Sequence, residues 1–249
     1  EEAIEYYHQA LEIAEAEDIK DKKMELDARN GLGNAYKSNH QYREALDSYR
    51  RALEIAVESD DKERQGTIHQ NVGSIAYHFA QYPLARHSYF LALEIAQDKD
   101  VSNKEMEAAA LNGLGSVYQH LDLNQDPELA DETTKIKKAI GYHEQALKIF
   151  EDIGHREGEG KTYANLGNAY QLAGQFPKAL EHYHKALKIQ KDKDTEDKEG
   201  QVTTLDQMGN AYGKQGRYEE AIRLHHRALT IALEIKNITR GASILVNLG

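Results

Sequence analysis

The sequence has no cysteine, no tryptophan, only three prolines and only four phenylalanines in 249 residues. Without cysteine there are no disulfides and no thiolate metal sites, which suits a reducing compartment and points to the cytoplasm. Scarce proline leaves room for long uninterrupted helices. No run of β-branched residues alternates with period two, so nothing indicates a sheet. No stretch approaches the length of apolar chain that spans a bilayer, so no membrane insertion is expected. Residues 1–20 lack the pattern of a signal peptide. Positive charge is short as well: 31 Lys and Arg face 42 Asp and Glu, for a net charge of −11. Phosphate backbones and anionic membranes are bound by neutralising cations, so no nucleic-acid partner is expected.

What is present is periodic. Glycines of a recurring Leu-Gly-x-x-Tyr motif fall at Gly33, Gly73, Gly115, Gly167, Gly209 and Gly249, with spacings of 40, 42, 52, 42 and 40. An alanine follows twelve residues later at Ala45, Ala85, Ala179 and Ala221, and a second at Ala52, Ala92, Ala186 and Ala228. The repeat containing Gly115 reaches its equivalents, Ala139 and Ala146, after 24 residues and so carries a 12-residue insertion. Each unit reads as two antiparallel helices joined by a tight turn. A glycine inside the first helix costs about 1 kcal/mol of helix propensity. It is tolerated where a neighbouring helix approaches closely. Tyr49, Tyr89 and Tyr183 fill the space that the small residues leave. One such pair cannot bury its apolar face alone, so pairs must stack.

The boundaries follow from these columns. Residues 1–20 match the second helix of a truncated repeat. Full repeats follow over 21–60, 61–100, 101–152 (with the inserted segment near 121–135), 153–194 and 195–236. Residues 237–249 match a first helix. The chain therefore reads as one array cut from a longer protein. Its half-repeats predict head-to-tail self-stacking, through Ala3, Tyr7, Ala10 and Leu11 at one end and Ile244, Leu245 and Leu248 at the other. Within the insertion, Asp126-Pro127-Glu128 has the form of an N-cap and first turn, predicting a helix from there, either short or fused to the next.

The run NLGNAYQLAGQFPKALEHYHKAL (residues 165–187) resembles a tetratricopeptide-repeat (TPR) unit throughout. The unit here is roughly 40 residues rather than the usual 34. It lacks the first-helix tryptophan and the proline that normally ends the second helix. The stretch Gly158–Tyr170, with one glycine offset, and the position of the insertion are similar to the Pins/LGN family of polarity and G-protein-signalling scaffolds. Kinesin light chains, bacterial peptide-sensing regulators and innate-immune ATPases use related long units. The resemblance implies an all-α, right-handed superhelical solenoid of about twelve helices, with a concave groove that binds a protein or peptide.

On the first helix of each repeat, positions near the glycine form a stripe on the side away from the packing face. One residue after the glycine stand Asn34, Ser74, Ser116, Asn168 and Asn210. Two before stand Asn71, Asn165, Gln207 and Asn247, and three before stand Asn30, Gln70, Asn112 and Asp206. By the resemblance, this stripe lines the groove. Side-chain amides both donate and accept, so they can pair with the backbone of an extended peptide, or equally with the neighbouring repeat. The candidate peptide-binding residues are Asn30, Asn34, Asn71, Ser74, Asn112, Ser116, Lys161, Asn165, Asn168, Gln171, Gln207, Asn210 and Asn247. Six residues before the glycine, Asp27, Thr67, Ala109, Lys161, Thr203 and Ser243 depart from the arginines of Pins/LGN-type grooves. Only Lys161 with Asn165 and Asn168 is similar to a carboxylate clamp.

The twelve histidines do not form a metal site. His182 and His184 lie on nearly opposite sides of a helix, no HExxH spacing occurs, and His143 and His225 occupy the tyrosine column as packing residues. No phosphate loop or nucleophile motif is present. The sequence thus predicts a scaffold with no catalytic residues and no cofactor. The alternative is a sensor or regulatory repeat region of a larger signalling protein, immune ATPase or other enzyme.

Overall fold

A computed structural model describes residues 2–16, 20–126 and 129–248. Among these residues there are twelve α-helices and no strand. They are α1 (Glu2–Glu15), α2 (Lys22–Ser38), α3 (Tyr42–Glu58), α4 (Lys62–His78), α5 (Tyr82–Gln97), α6 (Lys104–His120), α7 (Glu132–Asp152), α8 (Arg156–Leu172), α9 (Phe176–Gln190), α10 (Lys198–Lys214), α11 (Tyr218–Glu234) and α12 (Ile238–Leu248). From α2 to α11 they run as five sequential pairs, with α1 and α12 as single helices at the two ends; α2 with α3, α4 with α5, α8 with α9 and α10 with α11 pack as hairpins. The chain divides into two compact units, one running to Val117 and the other from Tyr118 onward.

The hairpins are punctuated by two columns of local chemistry. Every first helix begins twelve residues before its glycine with a side chain that caps it. Asp21 accepts from the backbone amides of Lys23 and Met24, Asp61 from Arg64, and Asn103 from Met106. His155, Asp197 and Asn237 do the same for Gly158, Gly200 and Arg240, all at 2.8–3.0 Å. These contacts satisfy amides that have no partner within the helix. The second helices α3, α5, α9 and α11 have no such cap. They follow a residue in the left-handed region seven after the glycine: His40, Ala80, Gly174 and Gly216, with φ between 55° and 75°.

In the first compact unit, Leu26, Ala45, Tyr49, Ala52, Ile55, Ala56, Ile68 and Ile75 pack into one core cluster. In the second, Tyr183, Leu187, Leu205, Met208, Leu224, Ala228 and Ile244 are part of another. Repeat glycines are points of close approach: a methyl group on Gly33 or Gly167 would stand 2.5 or 2.4 Å from the ring of Tyr49 or Tyr183.

Two expectations need correction. The helix of the insertion starts at Glu132, capped by Asp131, which accepts from the Thr134 amide at 2.6 Å. Asp126 is not the cap of that helix. It is buried, it accepts from the Tyr118 hydroxyl at 2.8 Å, and Lys138 Nζ stands 3.6 Å from it. A hydroxyl and a cation have drawn this carboxylate inward, away from the helix start. Pro127 and Glu128 lie outside the described residues. Of the two expected forms, short or fused to the next helix, the helix that starts at Glu132 is continuous to Asp152, 21 residues. At the ends of the chain, Leu11 and Ile244 were expected on exposed stacking faces but are buried. Leu11 packs with Ala28 and Leu32, and Ile244 joins the cluster around Leu224 and Ala228. Leu245 is exposed.

Candidate functional site

The amide stripe is not uniform, because the second helix of each repeat reaches it. Tyr49 donates its hydroxyl to Asn34 Oδ1, and Tyr183 donates to Asn168 Oδ1, both at 2.7 Å. Tyr183 also lies 3.1 Å from Gln171 Oε1. Tyr89 is hydrogen-bonded to Ser74. Burial raises the pKa of all three phenols, so each remains a neutral donor. Neighbouring repeats are tied as well: Asn71 Nδ2 donates to Asn34 Oδ1 at 3.2 Å, and Lys37 Nζ donates to Asn71 Oδ1.

The other predicted residues are placed as follows. Asn30 Oδ1 is buried with no hydrogen-bond partner. The backbone carbonyl of Asn112 accepts from Ser116 Oγ at 3.2 Å, and that of Asn165 from Gln119 Nε2 at 3.4 Å. Lys161 is exposed and paired with Glu157, so it stands apart from the amides. His143 and His225 are buried in the tyrosine column. Gln119 Nε2 donates to His143 Nε2 at 2.8 Å. Complete burial pushes the His143 imidazole down to about 3, which keeps it neutral and an acceptor.

The hairpin of α10 and α11 differs from the others. His225 Nδ1 lies 2.9 Å from Asp206 Oδ1, and Asn247 Nδ2 donates to the same oxygen at 3.1 Å. Gln207 and Asn210 make no side-chain hydrogen bond among the described residues, and both border a cavity of about 660 Å³. Tyr218, Ile222 and Leu248 supply its apolar wall, and Lys214 its exposed cation. A smaller hollow of about 410 Å³ in the first compact unit touches Asn34, whose oxygen already accepts twice. Sequence reasoning placed Gln207, Asn210 and Asn247 on the stripe but did not see the part played by Asp206. One signal was available: Asp206 is the sole acid in the column Asn30, Gln70, Asn112, Ala164, Asp206, and the same repeat replaces tyrosine by histidine.

Among the described residues, no three His, Asp or Glu side chains are grouped to hold a metal. No described helix is long and apolar enough to cross a membrane.

Comparison with known proteins agrees with this architecture. Two family models, both described as tetratricopeptide repeat, match residues 1–58 and 132–192, and residues 202–235. Together they cover more than half of the chain. Response regulator aspartate phosphatase H of Bacillus subtilis is 27% identical over 156 residues, which is 61% of this chain and 37% of that protein's length. Among solved structures, BtubC (BKLC) from P. vanneervenii superposes with a TM-score of 0.70 at 20% identity, covering 94% of this chain and 91% of that one. The Rap conjugation gene regulator of plasmid pLS20, solved in complex with the Phr* peptide, gives a TM-score of 0.70 at 17% identity, covering 90% and 57%. At these identities the structural likeness shows the fold alone. The narrower similarity to Pins/LGN scaffolds gains no support from these comparisons.

Proposed function

The chain belongs to the tetratricopeptide-repeat family, and from that premise we propose that it is a protein-interaction scaffold that holds an extended segment of a partner against the first-helix face of its second compact unit. One observation carries this reading. Gln207 and Asn210 keep both donor and acceptor functions unengaged beside a cavity with an apolar wall. Such a surface can pair with peptide backbone and bury the partner's side chains together, the combination typical of binding clefts.

The amides used elsewhere on the stripe are better read as structural. Asn34 and Asn168 already accept tyrosyl hydroxyls, and replacing them would disturb packing and binding together. The test is therefore made at Gln207 and Asn210. Peptides selected from a random library against the intact chain are titrated into wild type and into the Gln207→Ala/Asn210→Ala double variant. Two lost hydrogen-bonded groups predict roughly 10- to 30-fold weaker binding, with an unchanged circular-dichroism spectrum. Unchanged affinity would refute the site.

A second reading has one observation in its favour. The Bacillus subtilis relative is named a response regulator aspartate phosphatase, so the array could serve as the regulatory region of a larger signalling protein. The chain spans only 37% of that relative's length. Hydrogen exchange on the full-length protein tests this: a selected peptide should change protection outside the array, and protection confined to the array would count against it.

A further inference from the structure

Asn210 has neither of the partners that Asn34 has. In the first hairpin, the asparagine after the glycine accepts from a tyrosine 15 residues later (Asn34 from Tyr49) and from an asparagine 37 residues later (Asn34 from Asn71). The residues at the same offsets from Asn210 are His225 and Asn247. Both turn to Asp206 instead, at 2.9 and 3.1 Å. A buried carboxylate is the stronger acceptor, because hydrogen bonds to an ionised group exceed those to an amide oxygen. Asp206 therefore diverts the two groups that would otherwise occupy Asn210. The His225 ring packs over Gly209 as the tyrosines pack over their glycines, but it carries no hydroxyl.

The geometry points to a docking pocket for a tyrosine side chain of the partner. This inference rests on the groove reading and names the residue that the groove selects. The chain contains its own templates. At Gly33 and Gly167 a phenol hydroxyl sits 2.7 Å from the asparagine that follows. In the hairpin of α10 and α11 the acceptor is kept, the His225 ring takes the phenol's place without bringing a hydroxyl, and a cavity of about 660 Å³ stands beside Asn210, large enough for an aromatic side chain. Exposed Tyr218 and Ile222, with Leu248, offer apolar surface to a ring, and a buried tyrosine seeks a partner for its hydroxyl. Asp206 is buried and already bonded, which leaves its carboxylate unavailable to a guest, and Lys214 is the cavity's exposed cation. An acidic guest drawn by Lys214 is the rival outcome.

The test uses the intact, isotope-labelled chain and blocked pentapeptides Ala-Ala-X-Ala-Ala with X as Tyr, Phe or Glu, followed by NMR at millimolar concentration. The tyrosine peptide should give saturable shifts of the Gln207 and Asn210 side-chain amides. The phenylalanine peptide should bind about three- to tenfold more weakly, the worth of one hydrogen bond. Asn210→Ala should erase that preference while leaving the fold intact. His225→Tyr, which restores the chain's own phenol opposite Asn210, should abolish binding of both peptides. If that variant does not fold, the loss of preference in Asn210→Ala decides alone. Equal binding of Tyr and Phe, tighter binding of Glu, or no saturable shift overturns the proposal. If library peptides lacking tyrosine still lose affinity in the Gln207→Ala/Asn210→Ala variant, the groove reading stands while the tyrosine assignment falls.

Discussion

Three glycines in helices allow a graded test of the close-approach argument. Gly141 lies inside α7, and a methyl group built on it meets nothing within 4 Å. Gly141→Ala should therefore recover the full propensity difference, stabilising by about 1 kcal/mol. At Gly73 the methyl would stand 3.0–3.1 Å from the ring of Tyr89. The ring must give by a few tenths of an ångström, which offsets most of the same gain, so Gly73→Ala should be near neutral. At Gly167 the distance is 2.4 Å, to a fully buried Tyr183 ring whose hydroxyl is held by Asn168. The ring cannot retreat without straining the packing, at about 1–3 kcal/mol, and loosening a hydrogen bond worth about 1 kcal/mol. Against the propensity gain, Gly167→Ala should be destabilised by roughly 1–3 kcal/mol. Repeat arrays need not unfold in one step. The readout is therefore urea denaturation followed by circular dichroism, together with hydrogen exchange of α8 and α9. The order Gly141→Ala, Gly73→Ala, Gly167→Ala must run from most to least stable. A Gly167→Ala variant as stable as wild type would refute the reasoning.

Ala80 and Gly174 occupy the same turn position with φ of 55° and 71°, where an L side chain costs about 1–2 kcal/mol. Ala80→Gly should stabilise and Gly174→Ala should destabilise, each by about 1 kcal/mol, in thermal melts; effects of the same sign would contradict this. His143 is held neutral, with its pKa lowered to about 3 from an ordinary 6.5. The unfolded chain therefore binds the extra proton first, and stability should fall as pH drops from 6.5 toward 3. His143→Gln should flatten that part of the stability profile measured by urea titration, and an unchanged slope would show that other groups govern it.

The sequence alone determined the repeat register and the number and order of the helices. Those features rest on short-range rules: small residues where helices touch, tyrosines that fill the gap, and tight turns between paired helices. Every column can be read along one helix or one turn, so no tertiary information was needed. The start of α7 escaped that reading. Asp126 has the local form of a cap, but Tyr118 and Lys138 reach it from other elements. The site escaped it for the same reason. The stripe amides looked alike on a helical wheel, yet Asn34 and Asn168 serve their own tyrosines while Asn210 does not. That difference was decided where α10, α11 and α12 meet, because hydrogen-bond donors from two helices go to whichever acceptor on the third is stronger. There Asp206 wins over Asn210.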